Sequence, residues 1–151
     1  MKELEKLLQI ESKIPLSKAT VVTIIHTNSL IKQKLSSQLK PLDLSIEQFN
    51  VLRILRGQKG KAINLQDIQK RMVNRGSNTT RLVDKLIKKE FVQRELSKVN
   101  RRKVEINITQ LGLETLKKVD PLIDKAEKEV TENLSKEELK LLNKLLMKLK
   151  I

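Results

Sequence analysis

The sequence predicts a mostly α-helical protein carrying one small β-wing of two or three strands. Three observations carry that expectation. Apolar residues recur at three- and four-residue steps behind side-chain caps along most of the chain, the period of a helix with one buried face. A break at Asn74, Arg75 and Gly76 separates two such stretches by no more than a tight turn. Directly after the second, Phe91 to Leu96 and Lys103 to Thr109 read as paired strands, with Val104, Ile106 and Ile108 on one side and Glu105 and Asn107 on the other.

In chain order, Leu4, Leu7 and Leu8 give an amphipathic turn or two before Pro15 imposes a break. One long helix is expected from Ser17 to Leu39. Its run from Val21 to Ile25 is largely β-branched and favours a strand by propensity, but Ala19, Val22, Leu30, Ile31, Leu35 and Leu39 continue a helical spacing. A turn follows at Lys40 to Leu44. Ser45 and Gln48 then stand at capping-box spacing ahead of a helix whose apolar face is Phe49, Leu52, Ile54 and Leu55. Gly57 to Ala62 is a Gly- and Lys-rich loop.

The first helix of the helix-turn-helix starts behind Asn64, carries Leu65, Ile68 and Met72 on one face, and should end near Val73. Gly76 is expected to supply the positive φ of a sharp turn, and Ser77 the cap that starts the next helix. There Leu82, Val83, Leu86 and Ile87 form the inner stripe with Thr79 at its edge, while Ser77, Arg81, Asp84, Lys85 and Lys88 face outward. After the hairpin, Thr109 caps a helix bearing Leu113, Leu116, Val119, Leu122, Ile123, Ala126 and Val130, which Pro121 should bend. On it Asp120 and Asp124 are expected to pair with Lys117 and Lys128 at the surface. Ser135 and Glu138 form a second capping box ahead of Leu139, Leu142, Leu145, Leu146 and Leu149.

Composition narrows the function. Of the net charge of +14, the stretch from Pro41 to Gln110 holds +9, with sixteen basic against seven acidic residues, as expected of a surface that meets a polyanion. Two Phe are the only aromatics, so stacking platforms for single strands are absent and duplex DNA is the expected polyanion. With no Cys and one His, no disulfide, thiol switch, metal site or cofactor is expected. Walker, dinucleotide-binding and HExxH motifs are missing, so an enzyme is not expected. No apolar run of about 18 residues spans a bilayer, and the N-terminal residues lack a secretion-signal layout, so a soluble cytoplasmic protein without a membrane partner is expected.

The outward face around the second helix of the pair is small and polar first, then basic, which suits a major groove. Ser77, Asn78, Thr80 and Arg81 are candidate base readers there, and Arg75, Lys85 and Lys88 candidate phosphate contacts. The hairpin loop is too long and too basic for a two-residue turn, and it adds Lys98, Asn100, Arg101, Arg102 and Lys103 as wing contacts.

Arg81-Leu-Val-Asp-Lys-Leu86, Phe91-Val-Gln-Arg94 and Asn100-Arg-Arg-Lys-Val-Glu-Ile-Asn-Ile-Thr-Gln-Leu-Gly112 resemble the MarR family of bacterial transcriptional regulators. The resemblance runs from Leu44 to Gly112 and implies a winged helix-turn-helix flanked by N- and C-terminal dimerisation helices: residues 1–40, 41–112 and 113–151 of one compact protomer. The terminal helices also carry more leucine than one small wing domain needs, which makes Leu4, Leu7, Leu8, Leu139, Leu142, Leu146 and Leu149 the candidate dimer contacts. A symmetric dimer would set two recognition helices about 34 to 36 Å apart on a pseudo-palindromic operator. The expected function is sequence-specific regulation of transcription, as a repressor; a nonspecific architectural DNA-binding protein and a winged-helix protein-protein adaptor are the alternatives.

Members of the family also respond to small anionic or phenolic effectors, for which His26 and Arg53 are the candidate pocket residues. Two positions depart from the family pattern. Asn100 stands where an Asp usually orients the wing Arg, and Glu90 where a Gly usually ends the recognition helix.

Overall fold

The structure, a computed structural model, describes residues 6, 14–96 and 104–149; Leu4, Leu7 and Leu8 and the wing residues Lys98, Asn100, Arg101, Arg102 and Lys103 lie outside the described residues. The elements in order are α1 (Leu16–Leu39), a 3-10 turn (Lys40–Leu42), α2 (Ile46–Gly57), α3 (Leu65–Arg71), α4 (Thr79–Lys88), β1 (Val92–Leu96), β2 (Val104–Ile108), α5 (Gln110–Thr131) and α6 (Lys136–Leu146). They fall into two compact units, residues 1–34 and 35–151.

The first unit holds most of α1, including the run from Val21 to Ile25, which is helical as its flanking pattern requires. The hydroxyls of Thr20 and Thr23 donate to the carbonyls of Leu16 and Ala19 at 2.9 and 2.8 Å, so these β-branched residues satisfy their polar atoms inside the helix. Leu16, Val21, Ile25 and Leu30 of α1 are exposed.

The second unit is built around α2. Ser45 closes the expected capping box, its hydroxyl accepting the Gln48 N–H at 3.1 Å while its own N–H donates to the Gln48 side chain at 3.0 Å. That reciprocal pair lets Gln48 be buried. Phe49, Val51, Leu52 and Leu55 enter one core with Ile68, Met72, Val83, Leu86, Val92, Ile106, Leu116, Val119 and Ile123. Ile54, expected on that face, is only half-buried, and fully buried Val51 takes its place. Neighbours on both sides of α2 widen its buried face beyond a single stripe.

On α5 the buried positions are Gly112, Thr115, Leu116, Val119, Ile123 and Ala126, whereas Leu122 and Val130 are exposed. The expected stripe thus merged two faces of the helix. Pro121 lies inside α5. Asp120 does not pair with a lysine of its own helix; the Arg56 guanidinium grips both of its oxygens and ties α2 to α5. The planar fork of an arginine on a packed neighbour fits a carboxylate better than a lysine one turn away.

The wing base is the antiparallel pair β1 and β2, in register Val92↔Ile108, Arg94↔Ile106 and Leu96↔Val104. Ile63 adds a third strand one residue long, exchanging both backbone hydrogen bonds with Ile106 at 3.1 and 2.8 Å.

Where α4 passes into β1, Glu90 has φ 59°, the left-handed conformation expected of a Gly. Its N–H and that of Phe91 close the helix end on the carbonyls of Ile87 and Leu86 at 2.9 and 3.0 Å. Glu90→Gly relieves the crowding of a left-handed Cβ but loosens the unfolded chain, so a net gain of about 0.5 to 1 kcal/mol is expected. Urea unfolding checks it: a midpoint that stays or falls would show that Glu90 carries no strain.

Two exposed carboxylates are held below their ordinary values of 3.8 and 4.5, Asp43 by its hydrogen bond and charge pairing with Lys89, and Glu138 by the Ser135 N–H. Both contributions are present above those ordinary values and are lost as pH falls through the lowered ones.

Candidate nucleic-acid interface

Helix α3 begins as the sequence indicates, with the Asn64 side chain accepting the Asp67 N–H at 2.9 Å. It stops at Arg71, earlier than the expected Val73; Met72 is buried, and Val73, at 89% exposure, projects from the turn. That turn does not use Gly76 as expected. The only glycine with positive φ among the described residues is Gly60. Carboxamides hold the backbone instead. The Val73 N–H donates to Asn50 Oδ1 at 2.9 Å, the Gly76 N–H to Asn74 Oδ1 at 3.1 Å, and Gln69 Nε2 donates to the Arg75 carbonyl at 2.7 Å. With donors and acceptors supplied from the side, no residue of the turn has to adopt a left-handed backbone.

Asn78, not Ser77, caps α4, its Oδ1 accepting the Arg81 N–H at 3.1 Å, so the cap lies one residue later than expected and the helix starts at Thr79. Ser and Asn cap about equally well, so adjacent candidates cannot be separated by preference alone. The Ser77 hydroxyl is buried with no hydrogen-bond partner, while the residue itself is half-buried.

Along α4, Val83 and Leu86 are fully buried and Thr79 is 3% exposed. Arg75, Asn78, Thr80, Arg81, Lys85 and Lys88 are all exposed on the other side. The face also carries Asp84, whose repulsion toward an anion is offset by Arg94 of β1 at 2.8 Å. That pair fixes the wing base to α4 across ten residues of sequence, and no local pattern signals it. Lys89 is turned away from this face and spent on Asp43, at 2.7 Å. A cleft beside α4 is lined by Glu47, Asn74, Ser77, Asn78, Arg81, Leu82 and Lys85, and a more apolar one by Leu65, Thr80, Arg94, Val104 and Ile106.

The two candidate effector residues line neither cleft. Arg53 is exposed, with its guanidinium 5.6 Å from the centre of the Phe49 ring, and His26 is half-buried on α1. Among the C-terminal candidates Leu139 is half-buried, and Leu142, Leu145, Leu146 and Leu149 are exposed. Among the described residues no helix is long and apolar enough to cross a membrane.

Comparison with known proteins bears on this surface. Residues 44–104 match the MarR family. The chain is 36% identical over 74 residues to YfiV, an uncharacterised HTH-type transcriptional regulator of Bacillus subtilis; the match spans 49% of this chain and 45% of that protein. A solved structure of a cysteine-to-serine mutant of E. coli MarR complexed with operator DNA is similar with TM-score 0.77 and 28% identity, covering 91% of this chain and 98% of that one. BpsR of Bordetella bronchiseptica, whose DNA binding is regulated by 6-hydroxynicotinic acid, shares the fold with TM-score 0.79 at 19% identity, covering 91% of this chain and 96% of that one.

Proposed function

We propose that this chain is a member of the MarR family, whose model matches residues 44–104, and that it is a sequence-specific, duplex-DNA-binding repressor of transcription that works as a homodimer on a pseudo-palindromic operator. The observation that carries the reading is α4 itself. Its buried Val83 and Leu86 anchor it, while Asn78, Thr80 and Arg81 at its start and Lys85 and Lys88 farther on stand exposed. Short polar groups ahead of long cations is the order that base edges and flanking phosphates require.

In this reading Ser77, Asn78, Thr80 and Arg81 meet bases, while Arg75, Lys85 and Lys88 meet phosphates. The wing residues Lys98, Asn100, Arg101, Arg102 and Lys103 are the proposed phosphate or minor-groove contacts, with Arg102 in the minor groove. The exposed leucines of α6 support a second copy. A dimer covering its operator would exclude polymerase, which makes repression the direct outcome. A small anionic or phenolic effector belongs to the same proposal, with His26 and Arg53 as its candidate contacts.

Selecting bound fragments from genomic DNA, then competing them with unrelated duplex at rising salt, tests the reading. A specific regulator prefers its site by about a thousandfold or more. An architectural protein gives a ratio near one, and an adaptor does not bind. Arg81→Ala is expected to cost about 1 to 3 kcal/mol at one base position, whereas Lys85→Ala weakens all sequences alike and lowers the salt slope by about 1. If both variants lost the same amount on every sequence, Arg81 would be a phosphate contact.

A further inference from the structure

We infer that Gln69 is a positioning residue that sets the base-reading end of α4, an inference that rests on the DNA reading above. Its carboxamide works at both ends. Nε2 donates to the Arg75 carbonyl at 2.7 Å, and Oε1 accepts the hydroxyl of Thr79. One partner lies in the turn and the other is the first residue of α4, so a single planar group on α3 spans the entry to the next helix. A carboxamide carries its donor and its acceptor on one plane, and that of Asn sits a methylene closer to the backbone.

The other holds on this segment act elsewhere. Asn50 catches Val73 at the end of α3, while Asn74 and Asn78 bond within the turn and its cap. Val83 and Leu86 fix the middle of α4 in the core, but anchoring the middle leaves the first turn free to tilt. That turn carries Asn78, Thr80 and Arg81. Hydrogen bonds to base edges fail when a donor is displaced by about 1 Å, whereas flexible lysines follow a phosphate over that distance. Losing Gln69 therefore falls on discrimination between sequences and spares general attraction to DNA.

The test uses the full-length chain and two duplexes: the one that wild-type protein selects most strongly from a random library, and a scramble of equal length and composition. Gln69→Leu is expected to weaken the selected duplex about tenfold, the equivalent of about 1.4 kcal/mol, and to change the scramble by less than about twofold. Hydrogen exchange of the Arg81 and Leu82 amides should quicken while that of Leu86 stays slow. Thr79→Val should reproduce part of the loss and add nothing to Gln69→Leu, and Thr79→Ser, which keeps the hydroxyl, should bind as wild type. Thr79→Val against Thr79→Ser carries the comparison if Gln69→Leu does not fold.

An unchanged preference in Gln69→Leu, or an equal loss on both duplexes, overturns the inference while leaving the DNA reading intact. A wild type without any preference ends the DNA reading itself, and this inference with it.

Discussion

Replacing Leu142 and Leu146 together by lysine is expected to leave a monomer in sedimentation at micromolar concentration and to weaken operator binding by more than about a hundredfold, the gain lost when two linked half-sites no longer bind together. The two side chains are 43% and 39% exposed on α6, which also shows Leu141 and Leu145, and exposed Leu149 follows just past its end. A fully buried leucine contributes about 1.5 to 3 kcal/mol relative to an exposed one, so a stripe of this size is worth covering and expensive to charge. Lysine is the informative replacement. It adds positive charge, which strengthens nonspecific attraction to DNA, so a fall in operator affinity could not be blamed on electrostatics. A double variant that stays dimeric would remove α6 from the proposed interface.

Gly112→Ala is expected to destabilise the fold by about 2 to 4 kcal/mol, although helix propensity favours alanine, by up to about 1 kcal/mol, at this first-turn position. A Cβ at Gly112 would sit 2.3 Å from the Phe91 carbonyl oxygen and 2.8 Å from Ile108 Cγ1. The Ile108 side chain can turn aside, but the Phe91 carbonyl accepts the Thr109 N–H at 3.0 Å, and Thr109 in turn caps α5 and donates its hydroxyl to Glu90 at 2.6 Å. Moving that oxygen therefore disturbs the start of β1 and the cap of α5 together. Thermal and urea unfolding decide the matter, since a variant at least as stable as wild type would show that propensity wins and that the junction yields easily.

What the sequence discloses about this fold is whatever depends on short separations. Ser45, Asn64, Thr109 and Ser135 all cap the helices they precede, because a cap and its N–H lie three residues apart. The alternation of Val104, Ile106 and Ile108 likewise announces β2, and the spacing around Val21 to Ile25 outweighs strand propensity. The exposure of Arg81, Lys85 and Lys88 follows from the helical period once Val83 and Leu86 are turned inward. Errors collect where two local solutions tie or where the partner is distant. Ser77 and Asn78 compete for one cap, and the loser's hydroxyl ends up buried. Gly76 seemed necessary to the turn only because Asn50 and Gln69, which hold it, lie on other elements. The same holds for Arg56 with Asp120 and for Arg94 with Asp84, pairs that exist only after helices and strands have packed.

The cap at the start of α4 limits the vocabulary of the residue that forms it. With one lone pair of Asn78 Oδ1 committed to the Arg81 N–H, the NH₂ half of the carboxamide is the end that the proposed interface would turn toward a nucleobase. Two-sided recognition of adenine, which asks one amide to accept from N6 while donating to N7, would make the same oxygen serve the helix cap and the base at once through its two lone pairs. Donation alone, to guanine N7 or O6, to adenine N7 or to thymine O4, leaves the cap undisturbed. In the proposed interface cytosine, whose major-groove edge offers an amino group and no acceptor, is then the base that this position favours least.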